Sequence, residues 1–304
     1  MTLMQLGKLN DEQARQYLER ILWPNGPVCP HCKSSDCTRL HGKAHRPGTI
    51  QCNACRGQFT VTVGTVMERS KISLSRWLMA FHLMCSSKKG FSACQLQRAL
   101  GLGSYKTAWF MFHRIRLAME DSQLPKALTG TVEVDETYIG GKPRYRHHSN
   151  PRGTAHKAPV MVLLERDGVA RVKPVAFVDT KTLHAEVINA VEKSAMVITD
   201  EMASYRNLGP HFDGGHHFVT HRRRQYVRVN EAGFRIHTNT AESFFALIKR
   251  GFIGVYHKMS RKHLHRYCAE YGFRWNHRKI NDSARTEAAL MQIGGKRLMY
   301  ETPV

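Results

Sequence analysis

The stretch TVEVDETYIGGK, residues 131–142, sets an acidic pair, Asp135 and Glu136, inside a run of strand-forming residues in a chain of formal net charge +22. Thr131, Val132, Val134, Thr137, Tyr138 and Ile139 are β-branched or aromatic, types that fit a pleated surface, and Gly140 and Gly141 break the run. The segment therefore reads as a strand with a carboxylate near its exit. A lone carboxylate in such a strand is ordinarily an edge charge or one half of an ion pair. Chemistry at this position requires other acids to converge on it.

Downstream the chain supplies candidates. After the basic loop GGKPRYRHHSNPRGTAHKA come two apolar, β-rich runs, PVMVLLE and ARVKPVAFVD, suited to a hairpin, and then a helical stretch, TLHAEVINAVEKS. In AMVITDEMASY, Val197, Ile198 and Thr199 make a short buried strand that delivers Asp200. HHFVTH reads as another short strand, and NTAESFFALIKRGF as a helix carrying Glu242 and Lys249. The expected order is three strands, helix, strand, strand, helix. Side chains alternate along a strand, so Glu136 points away from Asp135 and reads as a surface charge, as do Glu201 and Asp179. Asn239 and Glu242 also have the spacing of a capping box, with Asn239 at the N-cap and Glu242 three residues on. Lys249 follows Glu242 by nearly two helical turns, about 10 Å along the same face.

The 304 residues, 42% of them hydrophobic, suffice for more than one core. The 46 Lys and Arg against 24 Asp and Glu create a field that attracts polyanions, nucleic acid foremost. No apolar run approaches the roughly 20 residues of a membrane span. The N-terminus, MTLMQLGKLNDEQ, lacks the ordered regions of a signal peptide, so a cytoplasmic location is expected. Thiols stay reduced in that compartment, and clustered cysteines there point to metal.

CPHC and CNAC place Cys29, Cys32, Cys52 and Cys55 in a C-x2-C-x19-C-x2-C pattern, the spacing of a four-thiolate zinc site. A polar connection between the knuckles and the strand-like QFTVTVGTVM after them suit a zinc ribbon, with Cys37 an alternative ligand to Cys32. Ahead of it, NDEQARQYLERILWP is a short amphipathic helix capped at Asn10 or Asp11 and stopped by Pro24. Between Ser73 and Glu120 the apolar periodicity gives three helices. The last two, separated by Gly101-Leu102-Gly103, have the order of a helix-turn-helix that would present Ser104, Tyr105, Lys106 and Thr107 to DNA. A plain helical bundle is the alternative. HRRRQYVR, residues 221–228, with Arg222, Arg223 and Arg224, and the run GGKPRYRHH interleave cations with tyrosine, a pattern suited to DNA backbone contacts.

Taken together, WPNGPVCPHC, VEVDETYIGGK, VITDEMASY and HTNTAESFFALIKRGFIGVYHKMSRKHLHRY resemble the DDE transposases of bacterial insertion sequences, specifically the zinc-ribbon-bearing ISXO-like group. The resemblance implies a multidomain α/β chain. An N-terminal helix and zinc ribbon would occupy residues 1–69, a helix-turn-helix-like segment 70–125, and a ribonuclease H-like mixed-sheet catalytic domain 126–304. It implies Asp135, Asp200 and Glu242 as ligands of catalytic Mg2+ or Mn2+, with Asn239 the alternative third residue, and Lys249 as a contact to a phosphate of the transposon end. It further implies binding of terminal inverted repeats, cleavage and strand transfer, and a homo-oligomer on DNA in the bacterial nucleoid. A nuclease of the same fold without joining activity, or a non-enzymatic DNA-binding regulator, are the competing functions. The three acids speak against the regulator, which needs none of them.

With a charge of +22, the affinity of the chain for DNA is expected to fall steeply with added salt. A titration of DNA binding at several ionic strengths measures it, and a flat dependence would contradict the electrostatic reading.

Overall fold

The structure, a computed structural model, describes residues 1–121, 124–141 and 157–299. It forms two compact units, Met1–Asp121 with Lys279–Val304, and Ser122–Arg278.

The first unit opens with α1 (Leu3–Gly7) and α2 (Asp11–Leu22). Asn10 caps α2 by accepting from the Gln13 N–H at 2.8 Å while the Gln13 side chain accepts from the Asn10 N–H, so two otherwise orphaned donors are met. Ala14, Tyr17 and Leu18 bury the inner face. The ribbon is three short antiparallel strands, β1 (Cys37–Arg39), β2 (Ile50–Cys52) and β3 (Gln58–Phe59). QFTVTVGTVM is a strand only over its first two residues. Beyond them the N–H groups of Val63 and Thr65 bond to the carbonyls of Thr60 and Thr62, and Gly64 takes a positive φ of 72°, so the chain turns rather than extends. Val61, Val66 and Met67 are buried all the same. Then come α3 (Leu74–Ser86), α4 (Ala93–Ala99) and α5 (Tyr105–Ala118), the three helices expected.

The second unit is built on β4 (Thr131–Ile139), β5 (Ala158–Glu165), β6 (Ala170–Pro174), α6 (Thr180–Ala190), β7 (Met196–Thr199) and β8 (His216–Phe218). A small hairpin, β9 (Arg228–Val229) with β10 (Arg235–Ile236), precedes α7 (Asn239–Gly251) and α8 (Leu264–Asn276). The main sheet has the order β6-β5-β4-β7-β8. β4 pairs antiparallel with β5, and β5 with β6, while β4 and β7, and β7 and β8, run parallel. This is a mixed sheet, as expected for the second half of the chain.

Alternation splits β4 between two cores. Val132 and Val134 join Leu183 and Val187 of α6 on one face, while Ile139 joins Phe244, Ile248 and residues of α8 on the other. Asp135, in phase with Ile139, therefore looks toward α7.

The last helix, α9 (Asp282–Met291), departs from the expected boundary at residue 126. It belongs with the N-terminal helices because Ala289 and Leu290 are fully buried in packing against α2 and α3, and the Tyr17 hydroxyl donates to Glu287 at 2.8 Å. Leu290→Ala is expected to cost about 2–5 kcal/mol. Hydrogen exchange should then rise within residues 1–121 while the strands from 131 to 199 keep their protection, and equal loosening of both units would contradict this assignment.

Candidate active site and metal centres

In the ribbon, the sulfurs of Cys29, Cys32, Cys52 and Cys55 lie within 4.8 Å of one another, with Cys29–Cys55 at 3.7 Å and Cys32–Cys52 at 3.5 Å. A tetrahedral ion with bonds of about 2.3 Å needs sulfurs roughly 3.8 Å apart, so the tetrad fits zinc. The two knuckles are built alike. Lys33 and Arg56, each just after the second cysteine of its pair, adopt left-handed φ of 66° and 60°, and their N–H groups bond back to the carbonyls of Cys29 and Cys52. Cys37 sits outside the tetrad. Its thiol donates to the Ser34 carbonyl at 3.6 Å.

The carboxylates are brought together by register. β4 and β7 pair Thr131 with Met196, Val132 with Val197 and Glu133 with Ile198. Continued along the chain, this register sets Asp135 level with Asp200 on the same face, strands about 4.8 Å apart. Asp200 lies just past β7, where it accepts from the Met202 N–H at 2.9 Å. Glu242 stands in the first turn of α7, half exposed. The Asp135 carboxyl is pushed up to about 8, first by burial and then by the charge of Glu136, with Asp200 and Glu242 adding to it. The Glu136 N–H bond to Asp135 at 2.8 Å works in the opposite direction. Burial is also the first cause that raises Asp200.

Neither Asp135 nor Asp200 has a Lys or Arg ion pair within 4 Å among the described residues, so a concentration of negative charge is left that a hard cation would relieve. All the donors are carboxylate oxygens, the ligands Mg2+ and Mn2+ prefer, and they fit such an ion. Among the described residues only the cysteine tetrad groups three or more ligand atoms within 4.8 Å of one another, so the acids form a more open constellation than the thiolates.

Of the acids read as surface charges, Glu136 and Glu201 have further partners, whereas Asp179 stays on the surface. Glu136 does face away from Asp135, but it is not a surface charge. Its carboxylate accepts from the buried Tyr205 hydroxyl, its other oxygen is buried, and burial pushes it up to about 7. Glu201 accepts from the N–H groups of His221 and Arg222 at 2.8 and 3.0 Å and so fastens the basic loop beside Asp200. Asp179 is an exposed N-cap of α6, accepting from Thr182 at 2.7 Å. The capping box at Asn239 and Glu242 does not form. Thr238 is the N-cap and makes no side-chain cap bond, while Asn239 is exposed at the first helical position.

Two residues at the site were not singled out by pattern. His221 places Nε2 3.6 Å from Glu242 and 3.4 Å from the Thr238 hydroxyl. Glu133, wholly buried, meets the start of α7. Its position two residues before Asp135, hence on the same strand face, was the available signal.

Of the DNA-contact candidates, Ser104 caps α5, accepting from Thr107 at 3.1 Å, and Lys106 is exposed in the first turn. α4 packs on α5 through the turn at Gly101, whose φ is 59°. Arg222, Arg223 and Arg224 are exposed, and Lys249 is exposed in the last turn of α7 without an ion pair to the three acids among the described residues. Most of GGKPRYRHH lies outside the described residues.

Purified protein is expected to carry one zinc per chain. Cys52→Ser should lose it and Cys37→Ser should keep it, as read by metal analysis. Zinc loss in Cys37→Ser would require a different ligand set.

The sequence profile of the ISXO2-like transposase domain matches residues 127–276, and that of the transposase zinc-ribbon domain matches residues 9–58. Over 279 residues the chain is 27% identical to an uncharacterized protein in transposable element ISH50 of Halobacterium salinarum, covering 88% of this chain and 91% of that one. Among solved structures it is similar to the Drosophila P element transposase strand transfer complex, at 11% identity over 74% of this chain and 57% of that chain, TM-score 0.27. It is likewise similar to the Mos1 strand transfer complex, at 12% identity over 92% of this chain and 93% of that chain, TM-score 0.27. Residues 9–58 hold the cysteine tetrad and residues 127–276 the three acids, so the chain carries a transposase zinc-ribbon domain followed by an ISXO2-like transposase domain.

Proposed function

We propose that this transposase binds the terminal inverted repeats of an insertion sequence and catalyses divalent-metal-dependent DNA cleavage and strand transfer. The observation that supports the reading is the β4–β7 register, which turns Asp135 and Asp200 to the face of α7, the helix that carries Glu242, near enough for the other two to raise the Asp135 carboxyl. When bound there, a pair of Mg2+ or Mn2+ ions supplies activation of the attacking oxygen and stabilisation of the leaving one.

In cleavage, a water oxygen forms a bond to phosphorus as the bond to the 3′ oxygen of the transposon end breaks and that oxygen takes up a proton. In joining, the freed 3′ hydroxyl gives up its proton and attacks a target phosphorus, displacing the target's own 3′ oxygen. Asp135 and Asp200 hold the inner side of this site, and Glu242, half exposed, its mouth. The exposed Arg222, Arg223, Arg224 and Lys249 would meet phosphates, and the exposed Lys106 with the half-buried Ser104 a groove. The zinc ribbon is structural. Assembly on paired ends as a homo-oligomer follows from the need to join two of them.

The amide variants test the acids, since they keep shape and remove charge. Glu242→Gln, Asp135→Asn and Asp200→Asn are each expected to abolish cleavage and joining of labelled ends while zinc content and end binding persist. Because Glu242 makes no cap, its variant should not lose thermal stability. Full inactivation of Asn239→Ala beside an active Glu242→Gln would show Asn239 to be the third residue, and cleavage without joined product in the wild type would identify a plain nuclease.

A further inference from the structure

We propose that Glu133 is a positioning residue of the catalytic centre, tying the helix that carries Glu242 to the strand that carries Asp135. The inference rests on the reading of Asp135, Asp200 and Glu242 as ligands of a divalent ion.

A helix leaves its first N–H groups without partners, and a side chain at the N-cap normally meets them. In α7 the N-cap, Thr238, meets none. The work passes to a carboxylate more than a hundred residues earlier. Glu133 Oε2 accepts from the N–H groups of Thr240 and Ala241 at 2.9 and 3.0 Å, and Oε1 accepts from the Thr240 hydroxyl at 3.0 Å. Its charge meets the positive end of the helix. Arg166 completes the clamp. Its Nε donates to Glu133 at 2.8 Å and its remaining nitrogens to the carbonyls of Arg235 and His237 at 2.8 and 2.9 Å, so the segment entering α7 is held as well. His237 Nδ1 stands 3.3 Å from the same carboxylate.

The placement matters because Glu242 immediately follows Ala241, and Asp135 lies two residues from Glu133 on the same face of β4. One buried side chain thus spans the gap between two of the three acids. A carboxylate is needed for this. Both of its oxygens face donors, so in Glu133→Gln the amide nitrogen confronts N–H groups whichever way it turns.

The test measures Mn2+ binding by the electron paramagnetic resonance of free Mn2+, at a temperature where each variant is folded by circular dichroism and retains its zinc. Binding lost in Asp135→Asn defines the site. Glu133→Gln is expected to weaken that binding about tenfold or more. Asp179→Ala, which removes the cap of α6 on the other sheet face, should leave it unchanged. Unchanged Mn2+ affinity in Glu133→Gln overturns the inference while leaving the ligands standing. No Asp135-dependent Mn2+ binding in the wild type overturns both. Should Glu133→Gln fail to fold, Arg166→Lys decides. It keeps a charge beside Glu133 but cannot hold both carbonyls, so weakened Mn2+ binding supports the clamp and wild-type affinity removes it.

Discussion

Three registered pairs, Thr131 with Met196, Val132 with Val197 and Glu133 with Ile198, decide where two acids end up. A shift of one residue would turn Asp200 to the α6 face, where Leu183 and Val187 form an apolar core with no use for a charge. The hydrophobic alternation of β4 and β7 therefore fixes the chemistry: the valines that must be buried against α6 oblige the neighbouring acids to face α7. Desolvation follows from the same geometry, because a site laid along the inner strands of a sheet is roofed by the helix that completes it. The raised Asp135 carboxyl records that burial first and the neighbouring negative charge after it.

Much of this was legible along the chain because it depends on local spacing. Two CxxC knuckles announce a tetrad, and a run such as VITD announces a strand delivering an acid, whatever lies elsewhere. The element order of the second unit follows from periods of two and 3.6 alone. What pattern did not disclose depends on distant partners. Glu133 and Glu136 read as ordinary strand acids until α7 and Tyr205 are set against them, and no spacing links residue 133 to residue 240. The capping box at Asn239 failed because the helix begins one residue earlier than the pattern implies: Thr238 is the N-cap, and the Glu242 N–H that Asn239 would have served donates to the Thr238 carbonyl. QFTVTVGTVM carried strand propensity, and turn hydrogen bonds around Gly64 overrode it.

The two candidate metal centres are opposite in character, and each matches its task. Four thiolates close around one point and leave no position for substrate, as a structural ion requires. The carboxylates come from three elements, stand further apart and include the half-exposed Glu242, which leaves room for water and a phosphate oxygen. The donors differ in softness as well, thiolates suiting zinc and carboxylates a hard divalent ion.

The hydrophobic cluster of the ribbon is small: Cys29, Ile50, Cys52 and Phe59 are its buried members, and two of them belong to the tetrad. So little apolar area cannot offset the entropy of ordering the knuckles, nor the left-handed backbone at Lys33 and Arg56. The free energy of ion binding is then the folding free energy of the segment. The ribbon's stability becomes a function of its surroundings, moving by about 1.4 kcal/mol for each tenfold change in free zinc.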